Sequence, residues 1–211
     1  MKITFISDTH GKHQSMTDDL VGGPMIIHAG DVSNTGTVGQ INEFLEWFSD
    51  LPYLHKVFIA GNHDFGFEKV RKSYEPGIVI PDGVTYLQDQ SVMIEGIKIY
   101  GSPWQPRFYD WAFNVNRGED IAKYWDMIPD DTDILITHGP PFSILDRTSR
   151  GDVVGCEDLY MRVKNVNPKI HVFGHVHEGY GVREIGDTVF INASCLNARY
   201  DYTNNPIVIE Y

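Results

Sequence analysis

Aspartate, histidine and asparagine side chains follow five apolar, strand-like runs in this 211-residue sequence. The runs occupy residues 3–7, 25–30, 56–60, 133–137 and 169–173. The polar residues that follow them are Asp8, His10, Asp31, Asn62, His63, Asp64, His138, His175 and His177. Open α/β sheets carry their sites at the carboxyl ends of the strands. We therefore expect these side chains to meet at one edge of the structure and to bind metal.

Seven of these residues are candidate metal ligands, namely Asp8, His10, Asp31, Asn62, His138, His175 and His177. The Asp8–His10 and His175–His177 pairs are each spaced i, i+2, so both members can point the same way from an extended backbone. Seven nitrogen and oxygen ligands exceed the four that a single zinc ion prefers. They suit two divalent cations that share a bridging carboxylate, and their chemistry favours Mn, Fe, Zn or Co, of which we expect Mn²⁺.

Each residue taken alone has a simpler interpretation. A lone aspartate at a strand end is usually a turn or cap residue. A lone histidine is more often structural, and we leave His13, His28, His55 and His171 in that class because they lie inside predicted strands or exposed loops. The metal hypothesis depends on the number of strand ends that carry such groups.

Two metals roughly 3.5–4 Å apart support in-line displacement at phosphorus. They lower the pKa of a bridging water and supply a hydroxide near neutral pH. His63 is not needed for coordination, so we expect it to be the general acid that protonates the leaving oxygen. Asp64 is expected to orient the His63 ring, and Asn62 to lie with His63 at the substrate phosphate.

The elements that would position these groups alternate in type along the chain. Apolar residues recur every three or four positions from Val38 to Leu51, which predicts an amphipathic helix. Further helices are predicted at 68–74, 118–128 and 156–166. Runs at 84–87, 91–94 and 97–100 predict antiparallel strands, and runs at 188–191 and 206–210 predict strands that complete a second sheet. We therefore predict an α/β (α+β) fold, a four-layer αββα sandwich of two mixed sheets flanked by helices, as one domain over 1–211.

The segment 104–113 is unusually rich in aromatic rings, with Trp104, Phe108, Tyr109, Trp111 and Phe113. A loop of this composition either packs back onto the core or lines a pocket. Both interpretations remain open from the sequence. In the second, the segment is a candidate wall for base stacking.

The composition limits the classes of partner. A formal net charge of −12 disfavours nucleic-acid polymers and anionic membranes. Bound divalent metals would offset this charge locally, so a small phosphorylated or nucleotide substrate is compatible with it. The first apolar run is too short for a signal peptide, and no window reaches the roughly 18 apolar residues of a membrane span. Cys156 and Cys195 form no metal-type pair, and we expect a soluble, cytoplasmic protein. The sequence indicates no oligomeric state.

The ordered motifs resemble those of the calcineurin-like metallophosphoesterase superfamily. They are Asp8-Thr9-His10, Gly30-Asp31, Gly61-Asn62-His63-Asp64, His138 and Gly174-His175-Val176-His177. The resemblance implies the αββα fold, with Asp8, His10 and His177 on one metal, Asn62, His138 and His175 on the other, and Asp31 bridging. It also supports His63 as the acid.

A closer resemblance is to the metallophosphoesterase-domain-containing proteins. It is carried by Tyr100-Gly101-Ser102-Pro103-Trp104, Thr137-His138-Gly139-Pro140-Pro141 and Ile191-Asn192-Ala193-Ser194, among other segments. This group implies a phosphodiesterase, with some members acting on 2′,3′-cyclic nucleotides. Some relatives have glycine in place of His175, and the histidine found here implies full activity.

The predicted function is hydrolysis of a small phosphodiester, such as a cyclic nucleotide, by a dinuclear enzyme. The alternatives are a phosphomonoesterase, a protein phosphatase or a nuclease of the same fold, or a catalytically silent interaction scaffold. The acidic charge balance disfavours the nuclease. An intact ligand set together with His63 disfavours the scaffold.

Overall fold

A computed structural model describes residues 1–68 and 77–211 of the chain. The described strands are β1 (Lys2–Ile6), β2 (Gly23–His28), β3 (Tyr53–Phe58), β4 (Val84–Tyr86), β5 (Gln90–Ile94), β6 (Ile97–Ser102), β7 (Gln105–Pro106), β8 (Asn114–Val115), β9 (Ile134–Thr137), β10 (Ile170–Phe173), β11 (Gly181–Ile185), β12 (Thr188–Asn192) and β13 (Ile207–Glu210). The α-helices are α1 (Val38–Asp50), α2 (Glu119–Trp125) and α3 (Glu157–Val166). Short 3₁₀ helices cover His13–Asp19, Phe65–Phe67 and His177–Gly179. Within these residues, each helix is too short or too polar to cross a membrane.

The strands form two large mixed sheets. The first sheet has the order β13-β1-β2-β3-β4, and the second has the order β11-β12-β10-β9-β6-β5. β1 to β4 run parallel to one another, as do β6, β9, β10 and β12. β13, β11 and β5 are antiparallel additions at three of the sheet edges. The predicted architecture of two mixed sheets with helices is confirmed.

Three buried clusters separate four layers. The middle cluster lies between the sheets and includes Ile3 and Phe5 of β1 together with Ile134 and Ile136 of β9. A second cluster packs α1 against the outer face of the first sheet, and a third packs α2 and α3 against the outer face of the second sheet. Alternate residues of β1 therefore face opposite layers, as the two-residue period of a strand requires.

α1 forms as its sequence pattern predicts. Thr37 caps the helix, because its side chain accepts a hydrogen bond from the backbone N–H of Gln40. The apolar face is buried through Ile41, Phe44, Leu45 and Phe48. The helix ends at Asp50, just before Pro52.

Two predicted strands pair differently from the expectation. β13 was expected to complete the second sheet, but it pairs antiparallel with β1 in the first, with Lys2 opposite Glu210. β4 was expected to be antiparallel, but it pairs parallel with β3. An apolar run indicates a buried strand without specifying its partner. β13 packs Ile207 and Ile209 against the cluster between the sheets, whereas β4 packs Val84 and Tyr86 against the cluster under α1.

The remaining differences concern short elements. β11 was not predicted because its two apolar residues, Val182 and Ile185, are separated by the charged Arg183 and Glu184 and do not form an apolar run. β7 and β8 pair within the aromatic segment, which was expected to be a loop. Apart from Glu68, the helix expected at 68–74 lies outside the described residues. Both cysteines are buried free thiols.

Candidate metal centre

Five strand ends, three from the first sheet and two from the second, carry their polar side chains to a common centre. The first contributes the turns after β1, β2 and β3, and the second contributes those after β9 and β10. The two sheets touch here through an isolated bridge between Ser7 and Ser194. The expected convergence at the carboxyl ends of the strands is therefore observed.

The turns are held in an uncommon backbone conformation. Asp8, His10, Asp31 and His175 have φ angles of 55°, 44°, 58° and 67°. Residues other than glycine adopt this left-handed region rarely and at a cost in energy. The backbone N–H groups of Asp8 and His10 donate to the carbonyls of Gly30 and Asp31 at 2.9 and 3.0 Å, which fixes the two turns to each other.

One set of donors surrounds the carboxylate of Asp8. His177 Nε2 lies 3.4 Å from Asp8 Oδ1, and His10 Nε2 lies 3.9 Å from the same oxygen. The two imidazole Nε2 atoms are 3.3 Å apart. Asp8, His10 and His177 thus offer three ligand atoms that all lie within 4.8 Å of one another.

A second set of donors surrounds the carboxylate of Asp31. His138 Nε2 lies 3.3 Å from Asp31 Oδ2 and 2.9 Å from Asn62 Oδ1. His10 Nε2 lies 3.6 Å from the same Asp31 Oδ2, on the side of the first set. Asp31 Oδ2 is therefore within reach of both sets.

His175 makes fewer close contacts with the other donor atoms than the remaining predicted ligands do. Its backbone N–H donates to Asp8 at 3.1 Å, and its ring centroid lies 5.1 Å from that of His138. Within the described residues, the compact groups of His, Cys, Asp and Glu donor atoms do not include it. They do include His63, in a set with His10 and Asp31.

Backbone carbonyls orient three of the imidazoles. The Nδ1 atoms of His138, His177 and His63 lie 3.0, 3.0 and 2.7 Å from the carbonyl oxygens of Ala29, Asn197 and Asn34. An N–H at Nδ1 donates to each carbonyl, which leaves Nε2 as the free nitrogen. This is the arrangement in which proteins commonly present histidine to a metal.

The prediction that Asp64 orients the His63 ring is wrong. The Asp64 carboxylate accepts hydrogen bonds from the backbone N–H groups of Val32, Ser33 and Gly61 and from the Ser33 hydroxyl, at 2.6–3.1 Å. These donors occupy both of its oxygens. Asp64 therefore ties the turn after β2 to the turn after β3, and the carbonyl of Asn34 holds His63.

The electrostatics of the centre are those of two buried anions surrounded by imidazoles. Burial opposes charge on His138, but Asp31 outweighs it and raises the pKa of His138 to about 9. Asp8 has the same effect on His177, whose pKa rises to about 9. Burial lowers the pKa of His10 to about 4. Burial would raise the pKa of Asp31, but His138 keeps it below its usual range.

This donor set fits a divalent metal. The Asp8 and Asp31 carboxylates are buried, and the Nε2 atoms of His10, His138 and His177 lie 3.3–3.9 Å from their oxygens. A cation among these atoms would satisfy both carboxylates and imidazoles.

The four remaining predicted structural histidines make contacts outside the donor sets of the described chain. His28 Nε2 lies 3.0 Å from Thr9 Oγ1, and His171 Nε2 lies 2.8 Å from Thr137 Oγ1. His13 is buried against Trp47, rather than in an exposed loop as expected. His55 lies 3.6 Å from Glu95.

Some residues of the aromatic segment pack on the core, and others line the site or a neighbouring cavity. Trp104 packs on Tyr124 with ring centroids 4.1 Å apart, away from the centre. Trp111 stacks on His63 at 4.2 Å. Phe108 lines a cavity of about 270 Å³ beside His175. The segment therefore contributes to both the core and the site.

That cavity is apolar with a few polar groups. Its lining residues are Pro106, Arg107, Phe108, Arg117, Gly139, Pro140, Thr148, Val154, His175, Val176 and Glu178. Thr148 Oγ1 is buried and has no hydrogen-bond partner among the described residues. The Arg117 guanidinium donates to the carbonyls of Val154 and Gly155, which fixes that wall.

Sequence reasoning missed several residues at the centre. Tyr200 lies against His10 and His177, with ring centroids 4.7 and 5.2 Å away, but it follows no strand-like run. Asn34 and Asn197 act through backbone carbonyls, which leave no signature in side-chain type. Ser194 donates to Asp8, and its segment was noted from the sequence without a role.

Comparisons with known proteins agree with this site. The family model described as "Calcineurin-like phosphoesterase" matches residues 1–179. The chain is 40% identical over 227 residues to human "Metallophosphoesterase domain-containing protein 1", covering 97% of this chain and 69% of the relative. It is 38% identical to "UPF0046 protein K07C11.7" of Caenorhabditis elegans, covering 99% and 74%. The solved structure of Phosphopantetheinyl Hydrolase (PptH) from Mycobacterium tuberculosis has a TM-score of 0.67 at 12% identity, with 99% and 95% covered, which is a likeness of fold.

Proposed function

The chain belongs to the calcineurin-like phosphoesterase family, as its motifs predict, and from that premise we propose that it is a dinuclear, Mn²⁺-dependent phosphodiesterase. Its substrate in this proposal is a small phosphodiester, a 2′,3′-cyclic nucleotide. One metal is held by Asp8, His10 and His177, and the other by Asn62, His138 and His175. Asp31 bridges them.

One observation carries the proposal: two imidazoles, one following a strand of each sheet, approach the same oxygen of Asp31. Asp31 Oδ2 is 3.6 Å from His10 Nε2 and 3.3 Å from His138 Nε2. A carboxylate in this position could serve as a common ligand for two cations. When bound, such a metal pair activates water and neutralises charge on the phosphoryl oxygens.

His63 supplies a proton to the leaving oxygen in this proposal. Its Nδ1 donates to the carbonyl of Asn34, so its Nε2 is the nitrogen that holds the transferable proton. Trp111 stacks on one face of the ring and His10 meets it edge-on, with ring centroids 4.2 and 4.5 Å away. These contacts hold the ring in a single orientation, which general acid catalysis requires.

The cavity beside His175 supports a small organic substituent on the phosphate. Its volume of about 270 Å³ is near the lower end of small-molecule pockets. Phe108 offers a half-exposed ring for stacking, and Thr148 offers a buried hydroxyl. A nucleobase fits this combination of an aromatic wall and a few polar groups. The net charge of −12 disfavours a nucleic-acid polymer as substrate.

A substrate panel tests the proposal. Bis-p-nitrophenyl phosphate, p-nitrophenyl phosphate and the 2′,3′-cyclic nucleotides are assayed with Mn²⁺, with EDTA as the control. We expect the diesters to be hydrolysed faster than the monoester, and EDTA to abolish all turnover. Faster hydrolysis of the monoester, or turnover that EDTA does not affect, would overturn the proposal.

A further inference from the structure

The segment Ile191-Asn192-Ala193-Ser194, at the end of β12, is buried beside the metal centre although it supplies none of the proposed ligands. Asn192 and Ser194 are both completely buried polar residues. Buried polar side chains are costly unless their hydrogen bonds are satisfied. The partners of these two side chains therefore indicate what the segment does.

Ser194 holds the carboxylate of Asp8 from the opposite sheet. Its Oγ lies 2.8 Å from Asp8 Oδ2, while the backbone N–H of His175 donates to both Asp8 oxygens at 3.1 Å. Ser194 Oγ is also 2.8 Å from Asn192 Oδ1. The charged carboxylate is the stronger of these two acceptors for the single hydroxyl proton.

Asn192 fixes the loop that carries two proposed ligands. Its Nδ2 donates to the carbonyl of Val176, between His175 and His177, at 2.8 Å. It also donates to the carbonyl of Leu145 at 3.1 Å. Its Oδ1 faces the backbone N–H of Ser194 at 3.2 Å. One amide thus connects the Val176 loop to the serine that holds Asp8.

Asp31 is held by other contacts. Its Oδ1 accepts the backbone N–H of His63 at 2.8 Å, and its Oδ2 faces His10 and His138. Neither Asn192 nor Ser194 is among these partners. Loss of the Ser194 hydroxyl, which contacts Asp8 and not Asp31, should therefore affect the two halves of the centre unequally.

We propose that Asn192 and Ser194 are a positioning pair that sets the affinity of one metal position, the one made by Asp8, His10 and His177. The inference depends on the proposed dinuclear centre. Removal of the Ser194 hydroxyl leaves Asp8 Oδ2 with only the His175 backbone N–H, which the two carboxylate oxygens share, so Asp8 is held less firmly in its orientation. Loss of such an outer partner weakens metal affinity by about 10- to 100-fold.

Ser194→Ala tests the pair against a matched control. Ser102→Ala removes another buried serine hydroxyl from a carboxylate, because Ser102 Oγ donates to Asp89 Oδ1 at 2.8 Å and neither residue contacts Asp8 or belongs to the proposed ligands. Mn²⁺ binding is followed by calorimetry and by the electron paramagnetic resonance signal of coupled Mn²⁺ ions. We expect two tight sites in the wild type and in Ser102→Ala. In Ser194→Ala we expect one tight site, a second about 10- to 100-fold weaker, and loss of the coupled signal at low Mn²⁺.

Two further measurements separate positioning from a general loss of structure. Ser194→Thr keeps the hydroxyl and should recover the second site. Thermal unfolding in EDTA reports the stability of each variant without metal, and Ser194→Ala should lose affinity for one metal even where its melting resembles that of Ser102→Ala. Equal weakening of both sites, or two unchanged sites in Ser194→Ala, would overturn the inference and leave the proposed function standing. A wild-type protein that binds no Mn²⁺ would overturn both.

Discussion

At the level of single residues, the centre is assembled from side chains whose orientation is fixed by backbone carbonyls. His63, His138 and His177 each use Nδ1 to contact a carbonyl oxygen at 2.7–3.0 Å. This contact restricts each ring to one rotamer, in which Nε2 faces the centre. A site prepared in this way loses little side-chain entropy when a ligand binds.

His63→Ala should slow turnover strongly while leaving metal content unchanged. The proposed role of His63 is proton transfer, and a positioned general acid commonly contributes about 10²- to 10⁴-fold to the rate. We expect a fall in kcat of that order, measured with a cyclic nucleotide and accompanied by metal analysis. Turnover equal to that of the wild type would remove His63 from the mechanism.

Metal binding should release protons. In the metal-free protein, Asp31 and Asp8 hold the pKa of His138 and of His177 at about 9, so both rings are protonated at neutral pH. A metal ion must displace these protons, so its apparent affinity should rise with pH between 6 and 8 by roughly tenfold per pH unit for each proton released. Calorimetry in buffers of different ionisation enthalpy counts the protons. Affinity that does not depend on pH would contradict this electrostatic description.

The residue types in the sequence were enough to predict which side chains form the candidate site, but not which hydrogen bonds those side chains make. Aspartate and histidine at strand ends are visible in the sequence, and the structure brings them together. The contacts of Asp64 are not visible there, because a carboxylate beside a histidine can equally well accept backbone N–H groups. Burial favours the second arrangement, since the N–H groups of Val32, Ser33 and Gly61 would otherwise lack acceptors.

At the level of elements, the parallel strands and α1 could be predicted because each has a local signal. β1, β2, β9 and β10 are apolar runs, and α1 has a helical period with a cap and a terminating proline. The placement of β13 and β4 could not be predicted, because sheet partners are chosen by long-range packing. β11 has only two apolar residues, separated by Arg183 and Glu184, and this spacing is not a strand signal.

Gly174 should tolerate no side chain. A Cβ at this position would lie 2.0 Å from Asp8 Oδ2 and 2.2 Å from Ser7 Oγ. Gly174→Ala should therefore displace Asp8, weaken metal binding and destabilise the fold by about 1–3 kcal/mol. Gly39→Ala is the matched control, because a Cβ in this helical position meets no atom within 4 Å. The control should stabilise the protein by about 0.5–1 kcal/mol.

Chemical denaturation measures the stability of Gly174→Ala and Gly39→Ala, and metal analysis measures how much metal each variant binds. Retention of full metal affinity in Gly174→Ala would contradict the close packing of this turn against Asp8.

The buried His171 in β10 should make stability depend on pH. Burial lowers its pKa to about 3, so the folded state keeps the ring neutral while the unfolded state takes up a proton below about pH 6.5. Its contribution is complete above that pH and is lost as the pH falls towards 3, by about 1.4 kcal/mol per pH unit. Urea unfolding in EDTA at pH 7 and pH 5 should show a smaller loss in His171→Gln than in the wild type. Equal losses in the two proteins would show that His171 does not carry this dependence.

At the level of the whole molecule, the proposed centre lies where the two sheets meet. Ser7 at the end of β1 bridges Ser194 beyond β12, and the backbone N–H of Cys195 donates to the Ser7 carbonyl at 2.9 Å. The sequence predicted the two mixed sheets and the convergence of strand ends. It could not predict that Ser7 and Ser194 join the two sheets, because contact between sheets depends on packing of the complete core.

The central claim is that two cations share Asp31. A crystal structure grown with Mn²⁺, with an anomalous difference map recorded near the manganese edge, tests it most directly. We expect two peaks roughly 3.5–4 Å apart, one beside Asp8, His10 and His177 and the other beside Asn62, His138 and His175, with Asp31 between them. A single peak, or two peaks without Asp31 as a common ligand, would contradict the account.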